Sequence, residues 1–194
     1  MYTPSGSLGT PVTGYYFDNA AIWNVWVDYV GTTETISVSL SQSADKPSQP
    51  QISLSVSIYS VLNQATMYLG LGAGSGSLRS IQQVAAWTFS LNETPQFQLG
   101  WSLTPPLINN PDLTLSLTGN ALLNTGNTGN NVILTNGLTN ELSGVFYNVP
   151  FTYYQNGVTL SFGAFFTFKI SCVSSTDCAD GITFIVSSFL YSFL

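Results

Sequence analysis

Apolar and polar residues alternate with a period of two over most of this chain. In Gln51–Leu62 the apolar residues Ile52, Leu54, Val56 and Ile58 are separated by Ser53, Ser55 and Ser57. That period, in β-branched and large apolar residues, predicts a strand with one face on a core and one in water. The same reading covers Ile36, Val38 and Leu40; Phe97, Leu99, Trp101 and Leu103; and Leu113, Leu115 and Leu117. Its longest run goes from Val158 through Leu160, Phe162, Ala164, Phe166 and Phe168 to Ile170. No segment carries a convincing helical period. Leu78–Ala86 is the one helix-tolerant piece, and it leads into Trp87-Thr88-Phe89, which reads as strand. Turn signals at Asp45-Lys46-Pro47, Gly72–Gly76, Pro105-Pro106, Asn109-Asn110-Pro111 and Asn156-Gly157 separate the runs. Gly119–Asn140, rich in Asn, Thr and Gly, reads as a loop around a short strand, Val132-Ile133-Leu134. About ten one-faced strands predict an all-β fold, a β-sandwich of jelly-roll or Greek-key type.

Two segments are apolar on both faces. In Ala21–Val30, Trp23, Val25, Val27 and Tyr29 share one face, and Ile22, Trp26 and Val30 lie on the other. Gly181–Leu194 behaves the same way. Strands of this kind need cover on both sides. They sit either in the centre of a sheet beneath a loop or against another subunit. Met1–Phe17 is rich in Gly, Ser, Thr and Pro and has no alternation of its own. These features predict a division into a 1–30 tail with a donor strand and a 31–194 sandwich. The donor strand, carried by Ile22, Trp23, Val25, Trp26, Val27 and Tyr29, would complete the sheet of a neighbouring copy.

Charge narrows the function. Only 6% of residues are charged, with three Lys plus Arg, nine Asp plus Glu and no His. So few cations exclude a nucleic-acid partner, because phosphate neutralisation is what drives such binding. Without His, the usual near-neutral acid–base group is missing. A nucleophilic Ser would have to use Lys46 or Lys169 as its base, and Lys169 falls on a polar strand face. The carboxylate pairs Asp18/Asp28 and Asp177/Asp180 have nothing to single them out as glycosidase pairs. Gly70–Gly76 lacks the Lys of a phosphate-binding loop. The chain therefore reads as no enzyme, with no cofactor and no metal site. Met1–Gly6 has neither the basic region nor the apolar core of a secretory signal, and no stretch is long and apolar enough for a membrane span.

Cys172 and Cys178 bracket a polar turn and predict a disulfide, worth roughly 2.4 kcal/mol in the chain-entropy model for so short a loop. A disulfide points to an oxidising, extracellular setting. Asn92-Glu93-Thr94 is a glycosylation sequon, followed by Pro95, which lowers occupancy.

The low charge, the sandwich pattern and the leading Gly/Pro/Ser segment together resemble subunits of archaeal surface filaments of the thread and bundling-pilus type. That resemblance implies a head-to-tail homopolymer on the cell surface, used in adhesion or biofilm. A jelly-roll virion capsid protein is one alternative. Another comes from Ala179-Asp180-Gly181-Ile182-Thr183-Phe184, which resembles the Ala-Asp-Gly-x-(Ala/Thr)-Phe signature of legume-type lectins. There the Asp hydrogen-bonds a sugar beside a calcium site, so Asp180 would be the sugar-binding residue and glycans the partner. The lectin pattern continues well downstream with a metal site containing His. Here ten residues follow Phe184 and the chain has no His. The hexapeptide is therefore ranked below the filament reading.

Overall fold

The computed structural model describes residues 17, 19–99, 115–124, 131–173 and 181–190. Among them are fourteen strands and one short helix. Sheet A holds eight strands: β1 (Asn19–Val30), β2 (Thr35–Ser41), β3 (Ile52–Ser55), β5 (Ser80–Leu91), β6 (Thr94–Leu99), β8 (Leu122–Asn124), β9 (Asn131–Asn136) and β13 (Phe162–Cys172). Their order is β3-β2-β1-β13-β5-β9-β8, with β6 beside the second half of β5. Sheet B is β14-β4-β10-β7, built from β4 (Thr66–Ser75), β7 (Leu115–Thr118), β10 (Glu141–Thr152) and β14 (Gly181–Ser187). A small hairpin, β11 (Tyr154–Gln155) and β12 (Val158–Thr159), stands apart. All these pairings are antiparallel, and the two sheets stack into a β-sandwich.

Alternation accounts for the core. On β13, Phe162, Ala164, Phe166, Phe168 and Ile170 are buried and the residues between them are half-exposed. Facing them from sheet B are Met67, Leu69, Leu71 and Ala73 of β4 and Val145 of β10. Phe166 of sheet A stacks at 6.4 Å on Phe184 of sheet B.

The donor-strand reading of β1 is corrected here. β1 lies inside sheet A of its own chain, bonded along one edge to β2 and along the other to β13. Trp23, Val25, Val27 and Tyr29 are core residues, Trp26 packs at 5.3 Å on Phe165, and Ile22 is exposed. The two-faced apolar pattern has the physics of a central strand: one face fills the core, and the other carries a Trp/Phe pair on the outside of the sheet. Gly31–Glu34 turns β1 directly into β2.

Two local expectations also change. The Gln51–Leu62 alternation stops being a strand at Ser55, and Ile58–Leu62 forms a short helix, α1. Ser57 caps it, accepting from the Ser60 N–H while donating to Glu34 Oε1 at 2.6 Å. The helix-tolerant Leu78–Ala86 lies largely within β5. Its register against β13 shifts between Thr167 and Phe168, so Ala85 is an extra residue. Ser80, Gln82 and Val84 point inward before this bulge, and Trp87 and Phe89 after it. One extra residue switches parity, which erases a period-two signal.

Candidate functional site

The lectin-like hexapeptide leads into β14. Asp180 lies outside the described residues; Gly181, the next residue, opens the strand opposite Gly74 of β4. Gly181 has φ +146°, a backbone state that L side chains rarely adopt, and an added Cβ would meet no atom within 4 Å. Backbone conformation rather than crowding therefore calls for glycine here.

On its outer face β4 presents glycine at alternate positions beside β14. Met67, Leu69, Leu71 and Ala73 point inward, which leaves Gly70, Gly72 and Gly74 on the other face. Phe146 of β10, paired with Gly70, lies across this strip and is completely buried. A Cβ on Gly70 would come within 2.5 Å of its ring. Glycine is needed at Gly70 so that an aromatic ring can lie flat on the backbone.

Buried polar groups fill the space between the sheets at this end. Gln82 of sheet A reaches across, its Nε2 donating to the Gly74 carbonyl at 2.6 Å and to Ser80 Oγ at 2.9 Å. That polarity fixes the amide orientation, since a flipped Gln82 would oppose two oxygens at Gly74. Its Oε1 is buried without a hydrogen-bond partner. Thr135 Oγ1 donates to the Ser80 carbonyl and accepts from the Gln82 N–H. Ser75 Oγ donates to the Leu138 carbonyl and accepts from the Glu141 N–H.

Glu141 anchors the β9–β10 turn. It sits on the inward face of β10 and is 5% exposed. Its Oε1 accepts from Asn120 Nδ2 and the Asn136 N–H, and its Oε2 from the N–H groups of Asn136, Gly137 and Leu138, all at 3.0–3.2 Å. A buried carboxylate is tolerated when such donors replace its water. Sequence reasoning missed both Glu141 and Gln82. The signal was available for Glu141, which shares the inward parity of Ser143 and Val145 and so places an acid where the pattern asks for an apolar group.

The other expected residues are dispersed. Cys172 is disulfide-bonded at the end of β13; Cys178, the other cysteine of the chain, lies outside the described residues, as does Asp177. Asn92 stands in the exposed β5–β6 turn, where its N–H donates to the Ser161 carbonyl and its Oδ1 accepts from the Ser161 N–H. Lys46 forms an ion pair with Asp28 at 2.6 Å, and Lys169 is half-exposed on the outer face of sheet A. Tyr154 stacks on Tyr59 at 3.8 Å, while Tyr153 is fully buried and donates to the Gln64 carbonyl. Among the described residues no three His, Cys, Asp or Glu gather as a metal site, and no helix is long and apolar enough to cross a membrane.

Two stacked antiparallel sheets, with buried polar groups between them at one end, place the chain among the β-sandwich domains. Residues 6–103 match the legume lectin domain model, and the chain belongs to the legume lectin family. It is similar to L-type lectin-domain containing receptor kinases of Arabidopsis thaliana. Kinase IV.1 is 40% identical over 70 residues, which is 36% of this chain and 10% of that protein. Kinase I.7 is 37% identical over 67 residues, or 34% of this chain and 10% of that protein. The putative kinase I.11 is 29% identical over 83 residues, or 43% and 12%. The chain spans about a tenth of the length of these relatives. A lectin domain is non-catalytic, so the chain is not an enzyme. The archaeal-filament resemblance, with its pilus and donor-strand corollaries, is overturned by this membership, and the homopolymer it implied finds no support. Low charge and a sandwich pattern are shared by many surface proteins and could not separate the two.

The hexapeptide resemblance implies calcium beside the aspartate. The described donors do not fit such a site. Asp28 is held by Lys46, Glu34 accepts from Ser57, and Glu141 is filled by N–H donors, while Asp45 and Glu93 are exposed and belong to no cluster of three such ligands among the described residues.

Proposed function

We propose that this chain is a carbohydrate-binding module working outside the cell. Family membership over residues 6–103 is the observation that carries the reading. The Ala179–Phe184 resemblance supports it from outside the matched span and nominates Asp180 as the sugar-contacting residue. The disulfide at Cys172 supports the extracellular setting, because such bonds persist in oxidising compartments. Asn92 is proposed as a glycan acceptor: its Oδ1 is engaged with Ser161, and a glycan on Nδ2 leaves that bond in place.

A glycan microarray probed with the wild-type chain and with Asp180→Ala tests the reading. The wild type should bind a defined glycan set, and Asp180→Ala should lose it by about tenfold or more, the scale of a lost charged hydrogen bond, with an unchanged melting temperature. A wild type that binds no glycan would overturn the proposal.

A further inference from the structure

We propose that the outer face of sheet A carries a second carbohydrate contact: a notch over Gly163, walled by Trp26 and Phe165, that takes one face of a neutral pyranose ring. The proposal rests on the carbohydrate reading and puts this contact on the sheet opposite β14.

Register builds the notch from two neighbouring rows across β1, β13 and β5. In one row Trp26 pairs with Phe165, and Phe165 with Thr88. Two residues along each strand, Asp28 pairs with Gly163, and Gly163 with Ser90. These positions alternate with the buried Val27, Ala164 and Phe89, so both rows face away from the core. Trp26 and Phe165 are half-exposed, with ring centroids 5.3 Å apart. In the second row glycine removes the middle side chain. A Cβ on Gly163 would stand 3.2 Å from Ser90 Oγ and 3.8 Å from Asp28 Oδ1. The gap therefore has a hydroxyl on one side, a carboxylate oxygen on the other and aromatic rings in the adjoining row.

The chemistry of the walls selects the ligand. A pyranose presents C–H groups on one face and hydroxyls around its rim. The C–H face matches the negative face of an aromatic ring, and the rim hydroxyls match Asp28 and Ser90. Lys46 engages Asp28 through Oδ2 at 2.6 Å, while Oδ1 borders the gap. The ion pair cancels its own charge, so it suits a neutral polyol that donates to the carboxylate and accepts from the ammonium. Both members are reachable, Lys46 being 42% and Asp28 38% exposed. Asn24 Nδ2 donates to the Ser43 carbonyl at 2.8 Å, which ties the β2–β3 loop carrying Lys46 to β1. Ile22 and Val30, the exposed apolar residues on this face of β1, lie four positions from Trp26 on either side. The rings thus stand among polar groups, whereas an obligate subunit contact is more continuously apolar.

An NMR titration of the full chain with the methyl glycosides of glucose, galactose and mannose, one at a time at millimolar concentration, tests the proposal. The readout is the Trp26 indole N–H signal, assigned by its loss in Trp26→Phe. At least one glycoside should shift it saturably. Gly163→Ala, which fills the gap, and Asp28→Asn, which removes the charged acceptor, should each weaken that binding by about tenfold or more with an unchanged melting temperature. No saturable shift at Trp26, or either variant binding as the wild type does, overturns the proposal. With a positive glycan array the carbohydrate reading then still stands; an array blank for the wild type removes both. Self-association of the wild type in sedimentation equilibrium, abolished by Trp26→Ala, would give this face to a second copy and overturn the proposal as well.

Discussion

At one end of the sandwich the space between the sheets is filled by rings. Phe89 of sheet A lies 4.5 Å from Phe151 of sheet B, Phe97 lies 4.5 Å from Tyr147, and Tyr153 is buried beyond them. At the other end the same space holds Gln82, Thr135, Ser75, Ser80 and Glu141, all buried and joined by hydrogen bonds. β4 and β5 run through both environments. The ring end gains its free energy from area removed from water, is non-directional and tolerates repacking. The polar end gains little net stability per bond and is costly to leave half-made, which makes it specific in geometry. A binding domain gains from this division. One end supplies stability while the other holds loops in a set position.

The largest expected effect separates the two ends directly. Phe89→Ala should cost about 3–5 kcal/mol, the range for a deleted buried aromatic ring, read as a lowered urea midpoint. Phe89 touches Phe97, Phe151 and Phe162 at once, so the cavity cannot close by moving one neighbour. A loss below about 1 kcal/mol would mean that the ring end is not the stable one.

Glu141→Gln should cost less overall, about 1.5–3 kcal/mol, the range for hydrogen bonds to a charged group. Its effect should be local. The glutamine keeps one acceptor oxygen and turns an NH2 group toward donors that it cannot satisfy. Amide hydrogen exchange at Asn136, Gly137 and Leu138 should accelerate far more than at Phe166 or Val25 in the core. Uniform acceleration across both ends would show that the polar end has no independent stability.

The fold was legible where the physical signal is short-ranged. β13 could be read because its alternation runs unbroken from Phe162 to Ile170, and burial follows that period. β5 could not, because the Ala85 bulge changes parity midway. α1 hid inside an alternating run because a Ser57 cap, engaged with Glu34 across the chain, decides its start. β1 looked like a strand in need of a partner, and it has two in its own sheet; pairing between distant segments leaves no local trace. The candidate site was half legible. Ala179–Phe184 carried a lectin resemblance, yet the matched family span, 6–103, lies elsewhere in the chain and holds no short motif of comparable sharpness. Likeness spread thinly over a hundred positions escapes reading by eye, whereas composition invites comparison with any surface β-protein.

The smallest effect belongs to Tyr153 and shows itself in alkali. Burial pushes its phenol up to about 12, with Tyr29 and Tyr59 adding to the rise, and Tyr29 is itself pushed above its usual 10.0 by burial. Because the folded value is raised, the stabilising contribution is full below the unfolded value of 10.0. It is lost as pH climbs through about 12, since the unfolded chain ionises first. Stability should therefore fall between about pH 9 and about pH 11 more steeply in the wild type than in Tyr153→Phe. The variant gives up the bond to the Gln64 carbonyl at 2.8 Å and should cost only about 1 kcal/mol near neutrality, because exposed Gln64 can turn to water. Urea midpoints for both proteins at the two pH values measure the difference. Parallel losses would place the alkaline sensitivity elsewhere in the fold. A shallower loss in Tyr153→Phe would show that the ring end, stable through apolar burial, carries its own titratable weakness at the Tyr153 hydroxyl.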